Sequence, residues 1–222
     1  MSAEPSGERP FVGRGGLKLD HALRHFAFDA RGRTCADLGC NVGGFSDCLL
    51  RAGAAHILAV DTGYGVLDYR LRIDPRITVL ERTNVLHTSP PQAFAQGVDL
   101  VVIDMGWTVQ KHCIPAALRW LKSDDSARII TLIKPHYEAK GAGLDDRLQG
   151  GVLDEAAAAA VLDHVIADLP TYGVDVLGVT RSPIEGGATK GNKRGNIEYL
   201  ALLKRTEPGD NQHQQPIPAP DR

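Results

Sequence analysis

The sequence lacks any apolar run that approaches the ~20 residues with which a helix spans a bilayer. Its first residues, MSAEPSGERP, contain no apolar stretch like that of a secretory signal. Its four cysteines form no C-x-x-C pair and have no regular spacing; they are Cys35, Cys40, Cys48 and Cys113. These absences argue against membrane insertion, secretion, a disulfide framework and a metal site. We therefore expect a cytoplasmic protein with reduced thiols.

An excess of positive charge is also missing. The formal net charge is −2 and the sequence pI is about 6.4, which excludes a uniformly basic nucleic-acid binder but not a local basic patch. Lysines and arginines outnumber acidic residues between positions 181 and 205, and the reverse holds between 142 and 168. A polyanion would prefer the first surface. The alternative is that both segments are ordinary solvated surfaces.

The length of 222 residues, with 43% hydrophobic and 23% charged residues, suits one medium-sized globular domain. Residues 1–9 and 206–222 are polar, and the second segment is rich in proline and glutamine. Neither has a periodic apolar face, so we expect both to be disordered tails. The domain is predicted to occupy residues 10–205.

Short β-branched runs alternate with stretches of helical spacing along this domain. The runs predict strands that are covered on both faces, as in parallel sheets. The predicted strands are 34–38, 56–61, 77–80, 98–104 and 128–134, and the predicted helices between them are 45–52, 66–71 and 114–121. Before the first strand, Leu19, Leu23 and Phe26 predict an amphipathic helix. The alternation indicates a doubly wound α/β fold.

After the fifth strand the pattern changes. An alanine-rich helix at about 154–169 precedes two runs, 174–180 and 197–203, with no helical pattern between them. Strands joined by a loop are typically antiparallel. We therefore predict a mostly parallel seven-stranded sheet with an antiparallel last strand, which is the layout of S-adenosylmethionine-dependent methyltransferases. This is an analogy of fold, and function must be argued from the site.

A glycine-rich segment follows the first predicted strand, where ligands of doubly wound folds bind. Its candidate cofactor residues are Asp37, Gly39, Asn41, Gly43, Gly44 and Phe45. Asp61 ends the second predicted strand, where an acid can accept both ribose hydroxyls of an adenosine. The glycines do not satisfy G-x-G-x-x-G, which favours a smaller sulfonium cofactor over a dinucleotide. The alternative is that they serve only a tight turn.

Four charged residues are candidates for catalysis: Lys18, Asp104, Lys134 and Glu198. The last three stand at predicted strand ends, where a buried charge is costly unless it is paired. Any one of them alone would suit a structural ion pair. Their grouping around one edge of the sheet favours a site.

Five motifs together resemble the TlyA (haemolysin-A-like) branch of the FtsJ-like ribose 2′-O-methyltransferases. They are RGGLKL at 14–19, DLGCNVGGF at 37–45, ERTNV at 81–85, KPHYE at 134–138 and GNIEYL at 195–200. The resemblance extends from about residue 11 to 205. It implies that the four charged residues are a Lys-Asp-Lys-Glu tetrad around the target ribose. It also implies S-adenosylmethionine contacts at Gly43, Phe45, Asp61, Asn84 and Asp104.

The resemblance implies methylation of a ribose 2′-hydroxyl of RNA, with ribosomal RNA or a ribosomal subunit as the partner. Such a hydroxyl is a weak nucleophile, and a lysine can deprotonate it only if a neighbouring cation and desolvation lower the lysine's pKa. The expected RNA contacts are Arg14, Lys190, Lys193 and Arg194. Two alternatives stay open: a catalytically silent RNA-binding module, and a methyltransferase with a non-RNA substrate.

The sequence departs from the family pattern in three places, one of which is the segment 186–195 (GGATKGNKRG), which looks expanded. Only about ten residues precede the first motif, so the usual small N-terminal RNA-binding domain is expected to be absent. Asp104-Met105-Gly106-Trp107 replaces the usual Asp-Leu-Ser-Phe type of continuation.

Overall fold

A computed structural model of the chain describes residues 10–187 and 195–206. Its centre is a seven-stranded sheet with the strand order β3-β2-β1-β4-β5-β7-β6. The strands are β1 (Thr34–Leu38), β2 (His56–Val60), β3 (Ile77–Leu80), β4 (Leu100–Ile103), β5 (Arg128–Ile133), β6 (Val174–Arg181) and β7 (Tyr199–Arg205). The predicted doubly wound α/β fold is confirmed.

Strand direction follows the prediction. The first five strands pair in parallel, and β7 is antiparallel to both of its neighbours, β5 and β6. The central strands are mostly apolar because helices cover both faces of the sheet. In β4 every residue is buried.

Helices cover both faces of the sheet, so the core has two layers. They are α1 (Gly15–His25), α2 (Gly44–Arg51), α3 (Tyr69–Arg72), α4 (Gln110–Trp120), α5 (Pro135–Glu138) and α6 (Glu155–Asp168). One apolar cluster joins α1 and α2 to one face of the sheet through side chains such as Leu19 and Leu49. The other joins α4 and α6 to the opposite face through Trp120 and Val161. This sandwich leaves the carboxyl edge of the parallel strands open.

Several boundaries differ from the sequence prediction. Helix α3 is a single turn, and α4 begins at Gln110 rather than at residue 114, because its first turn is capped from outside the helix. Helix α5 was not predicted, since one turn carries no periodic signal. Strand β4 begins at Leu100 because Val98 pairs only through an isolated bridge to Leu121.

The predicted tails lie outside the described residues except for Thr206. That residue continues beyond β7, where its N–H donates to the Gly173 carbonyl (3.1 Å) and its hydroxyl donates to the Asp175 carboxylate (3.0 Å). The described part of the chain contains no helix that is both long and apolar enough to cross a membrane. Within residues 10–187 and 195–206, no group of three histidine, cysteine or acidic side chains is placed to hold a metal ion.

Candidate active site

A cleft of about 750 Å³ opens at the carboxyl edge of the sheet. Asp104 follows β4 and Lys134 follows β5, so both side chains stand at this edge. Because β7 runs antiparallel, its first residues reach the same edge, and Glu198 immediately precedes it. Lys18 comes from α1, which packs beside α2. All four predicted tetrad residues line this one cleft.

The four charges form two ion pairs. The Lys18 ammonium donates to Glu198 Oε2 at 2.5 Å, and both residues are buried, with exposed fractions of 7% and 4%. The Lys134 ammonium lies 2.6 Å from Asp104 Oδ1 and also donates to the Met105 carbonyl at 3.1 Å. Pairing offsets the cost of placing these charges in a poorly solvated cleft. The result is two ammonium groups and two carboxylates held along one wall.

Three aromatic residues line the cleft together with Lys134, and none of them was among the site residues predicted from the sequence. Trp107 is 86% exposed at the rim, and its ring centroid lies 5.1 Å from that of Tyr137. Tyr137 also contacts the His136 ring at a centroid distance of 4.1 Å. Burial, together with the positive charges of Lys134 and Lys18, lowers the pKa of His136 to about 4, so its ring is neutral at physiological pH. His136 and Tyr137 belong to the KPHYE motif, and this motif is the feature of the sequence that could have identified them as site residues.

Asn196 ties the start of β7 to two neighbouring segments. It is buried; its side-chain amide donates to the Gly151 carbonyl (2.9 Å), and its side-chain oxygen accepts the Leu153 N–H (3.3 Å). Its own carbonyl accepts the Gly186 N–H (2.8 Å). Because Asn196 stands two residues before Glu198, this network fixes the backbone that carries the tetrad carboxylate. Asn196 was not among the site residues predicted from the sequence.

Of the predicted RNA contacts, Arg14 is exposed and lines the cleft, and its guanidinium donates to the Glu185 carbonyl at 2.6 Å. The other three, Lys190, Lys193 and Arg194, lie outside the described residues.

The glycine-rich segment turns from β1 into α2 and forms another wall of the cleft. Of its predicted members, those that line the cleft are Asp37, Gly39, Asn41, Gly44 and Phe45. Asp37 is fully buried; its Oδ2 accepts the Ser46 hydroxyl (2.7 Å), while its Oδ1 has no hydrogen-bond partner among the described residues. Burial raises the pKa of Asp37 to about 7, against the opposing effect of the Ser46 hydrogen bond.

Two glycines in this segment are explained by close packing. Gly39 has φ = +87°, and a Cβ there would lie 2.9 Å from the Asp104 carbonyl oxygen. Gly43 has φ = +97°, and a Cβ there would lie 2.2 Å from a Leu71 methyl carbon. Any other residue would be strained at both positions. Gly43 does not line the cleft, so packing against Leu71 accounts for it without a ligand.

Two further predicted cofactor residues also lie outside the cleft lining. The carboxylate of Asp61 accepts the Asn41 N–H at 2.8 Å and the Gly63 N–H at 2.7 Å. Asp61 therefore binds the backbone of the glycine-rich segment at Asn41. Asn84 is exposed, and its side-chain oxygen accepts the Leu86 N–H (3.0 Å) in a local turn. The structure therefore brings the tetrad together more closely than it does the predicted cofactor set.

The cleft has groups that suit a sulfonium cofactor with an amino-acid tail. The unpartnered Asp37 oxygen suits an ammonium donor, and the backbone before α2 presents the positive end of a helix dipole, which suits a carboxylate. Both groups are within the lining of the same cleft as the tetrad. The donor set therefore fits S-adenosylmethionine.

Comparison with known proteins also indicates a methyltransferase that uses S-adenosylmethionine. The chain is 39% identical to the 16S/23S rRNA (cytidine-2′-O)-methyltransferase TlyA of Mycobacterium tuberculosis over 92% of this chain and 72% of that protein. It is 31% identical to hemolysin A of Brachyspira hyodysenteriae over 86% of this chain and 75% of that protein. A solved structure described as a "putative hemolysin" from Streptococcus thermophilus superposes with a TM-score of 0.79 at 32% identity, covering 91% of this chain and 70% of that one.

The family model for FtsJ-like methyltransferases matches residues 11–205, which include the sheet, the glycine-rich segment and the tetrad. This confirms the resemblance predicted from the motifs, the methyltransferase activity, and S-adenosylmethionine as the cofactor. The chain belongs to the FtsJ-like methyltransferase family.

Proposed function

We propose that this protein transfers a methyl group from S-adenosylmethionine to a ribose 2′-hydroxyl of RNA, and that its substrate is ribosomal RNA. The observation that carries the proposal is the presence of two Lys–carboxylate pairs in one cleft with the glycine-rich segment. The relative from M. tuberculosis, which is named as an rRNA cytidine-2′-O-methyltransferase, supports the substrate class.

S-adenosylmethionine supplies an electrophilic methyl group on a positively charged sulfur. Methylation of a neutral hydroxyl releases one proton, and this chain must accept it. We assign that role to Lys134, because its Nζ lies in the cleft between Asp104 and the rim residue Tyr137. The ammonium must first pass a proton to its partner Asp104, and the resulting amine then takes the proton of the hydroxyl. Asp104 orients the amine. A positioned acid–base group of this kind contributes on the order of 10²–10⁴-fold in rate.

The second pair, Lys18 with Glu198, is assigned to holding the ribose. Its ammonium is almost fully buried, so it presents a fixed donor to a substrate oxygen rather than a mobile surface charge. Fixed donors align the hydroxyl oxygen with the methyl group before reaction, and such alignment is a large part of catalysis between two bound substrates.

For the cofactor, we propose contacts from the glycine-rich segment, namely Asp37, Gly39, Asn41, Gly44 and Phe45, together with Asp104. Asp61 fits the role of ribose acid, since each of its oxygens accepts one backbone N–H and keeps a lone pair for a second donor. For Gly43 and Asn84 the cofactor role rests on the family resemblance alone.

For the RNA, we propose contacts at Arg14 and at three cations outside the described residues: Lys190, Lys193 and Arg194. The exposed Trp107 ring and its neighbour Tyr137 add an aromatic surface at the rim, which suits stacking of an unpaired base.

The test is transfer of a radiolabelled methyl group into intact ribosomes, separated subunits and free ribosomal RNA, followed by digestion to nucleosides. The proposal predicts label in a 2′-O-methyl nucleoside. Cofactor binding without any transfer would favour a silent RNA-binding module. Label in a base would refute the ribose assignment, and label in protein or a small molecule would favour the non-RNA alternative.

A further inference from the structure

The KPHYE turn contacts the segment 104–110 at three successive points. At one end, Lys134 pairs with Asp104 and donates to the Met105 carbonyl. In the middle, the Tyr137 ring packs against Trp107. At the far end, a carboxylate oxygen of Glu138 accepts the Gln110 N–H at 2.7 Å. The segment that carries Asp104 is therefore held along its length by a single turn of helix.

Glu138 does not line the cleft, and it is buried. It acts as the N-terminal cap of α4, because the residue in the capping position, Val109, has no side chain that can accept a hydrogen bond. Gln110 continues the connection to β5: its side-chain amide donates to the Leu132 carbonyl (3.2 Å), and its side-chain oxygen accepts the Thr131 hydroxyl (2.8 Å). The cap thus fixes α4 to the strand that leads to Lys134.

The segment 104–110 needs such an anchor because its backbone is strained. Trp107 has φ = +61°, a left-handed conformation that is costly for a bulky aromatic residue. Apart from its two chain neighbours, no described residue has a heavy atom within 4 Å of the place where a Cβ of Gly106 would be. Between Met105 and Gln110, the Trp107–Tyr137 ring pair joins the segment to the turn.

We propose that Glu138 is a positioning residue, which holds the segment 104–110 against the KPHYE turn and thereby sets the geometry of the Asp104–Lys134 pair. The effect on turnover rests on the proposed function, whereas the effect on the segment itself does not. Misplacement of a reacting group by about 1 Å can lower the rate on the order of 100-fold, so a residue that touches no substrate can control turnover.

Glu138 also supplies a readout that distinguishes this role from general stability. Burial raises its pKa to about 7, and the Gln110 N–H opposes that rise. The titratable groups that face it are Lys111 and Cys113 on α4, Asp168 at the end of α6 and Tyr172 beyond it. Protonation converts a charged acceptor into a weaker neutral one. The hydrogen bond from the Gln110 N–H to Glu138, which holds the segment 104–110, should therefore weaken as pH falls through 7.

The experiment compares Glu138→Ala and Glu138→Gln with the wild type and with Asp154→Ala. Asp154 is a matched control, because its carboxylate caps α6 by accepting the Ala157 N–H at the same distance of 2.7 Å. One readout compares the change in kcat with the change in cofactor affinity for each variant. The other is Trp107 fluorescence from pH 5.5 to 8.5. Subtraction of the Trp107→Phe spectrum separates Trp107 from the buried Trp120.

We expect Glu138→Ala to lower kcat on the order of 10- to 100-fold, to leave cofactor affinity near that of the wild type, and to shift Trp107 emission. Glu138→Gln, which can still accept the Gln110 N–H, should recover most of the turnover and lack the fluorescence change near pH 7. Asp154→Ala should lose thermal stability and keep kcat.

A Glu138→Ala protein that is folded, with wild-type kcat and unchanged Trp107 emission, would overturn the proposal. The proposal would also be overturned if Glu138→Ala and Asp154→Ala lost the same amount of thermal stability and the same fraction of kcat. If the wild type transfers no methyl group to RNA, the proposed function fails, but the Trp107 titration still decides whether Glu138 holds the segment.

Discussion

Lys18 and Glu198 are 180 positions apart in the chain, yet their side chains meet at 2.5 Å in the cleft. The contact depends on the direction of β7. If β7 were parallel to β5, its first residue would lie at the opposite edge of the sheet and Glu198 would be remote from the glycine-rich segment. The antiparallel last strand therefore completes the tetrad.

Replacement of Lys134 by methionine tests its assigned role in deprotonating the hydroxyl. Methionine keeps the length of the side chain and removes the amine, so cofactor binding should persist while turnover falls on the order of 10² or more. The measurements are methyl transfer, calorimetric cofactor affinity and thermal melting.

Lys122→Met is the matched control for Lys134→Met. Lys122 pairs with Asp99 at the same 2.6 Å, but at the opposite end of β4 and away from the cleft. It should show the stability cost of losing one Lys–Asp pair without a loss of turnover. A folded Lys134→Met protein with near-normal transfer would refute the catalytic role.

Replacement of Asp61 by alanine tests the cofactor assignment. The change removes the acceptor of two backbone N–H groups and the proposed bond to the adenosine ribose. We expect cofactor affinity to fall by on the order of 1.5–3 kcal/mol, with or without RNA present. Asp74→Ala is the control, since Asp74 accepts an N–H two residues ahead in the same way at an exposed turn. Equal cofactor affinities for both variants would show that Asp61 is not the ribose acid.

The fold was largely predictable from the sequence, because unbroken apolar runs signal strands that are covered on both faces. Strands β1 and β3 have the predicted bounds. The three tetrad residues near strand ends stand one position outside the observed strands. The Asp104 N–H still donates to the Leu38 carbonyl at 3.1 Å, and the Glu198 carbonyl still accepts the Ser182 N–H at 2.9 Å. Three of the four tetrad residues lie in the family motifs, and Asp104 was identified from its place at the end of the fourth predicted strand.

The parts that were missed depend on contacts between distant segments. The cap on α4 comes from Glu138, 28 positions from the helix start, and the Asn196 network joins segments more than 40 positions apart. Trp107 stands in a left-handed conformation that its residue type disfavours. Neither periodicity nor composition carries such information, because each feature is set by a partner that only the fold brings near.

Asp37 predicts a pH-dependent contribution to stability. Burial raises its pKa from 3.8 in the unfolded chain to about 7 in the folded protein. The folded state therefore binds this proton more tightly, so its stabilising contribution is full below about pH 4 and is lost as pH rises through 7. Asp37→Asn should remove that dependence, which between pH 5 and 8 amounts to on the order of 3 kcal/mol.

Urea unfolding of the cofactor-free wild type and of Asp37→Asn at several pH values measures this contribution. The difference between the two proteins isolates Asp37 from other groups, such as His136, whose lowered pKa acts in the opposite direction. Parallel stability curves from pH 5 to 8 would contradict the assignment.

The proposed RNA contacts predict a change in salt dependence. Lys193→Ala/Arg194→Ala removes two cations, so RNA affinity should fall and the slope of log K against log salt should decrease by about 0.7–0.9 for each phosphate that is no longer neutralised. Lys134→Met should weaken RNA binding less, because it lies inside the cleft. Filter binding at several salt concentrations checks both, and equal slopes for the double variant and the wild type would exclude these cations from the RNA interface.

The central claim is that the cleft acts on a ribose 2′-hydroxyl. Once the modified nucleotide is mapped, the most direct measurement uses two RNA fragments that differ only by a 2′-hydroxyl or a 2′-deoxy group at that nucleotide. We predict methylation of the first fragment and none of the second, with both fragments bound at comparable affinity. Methylation of the 2′-deoxy fragment at the normal rate would contradict it.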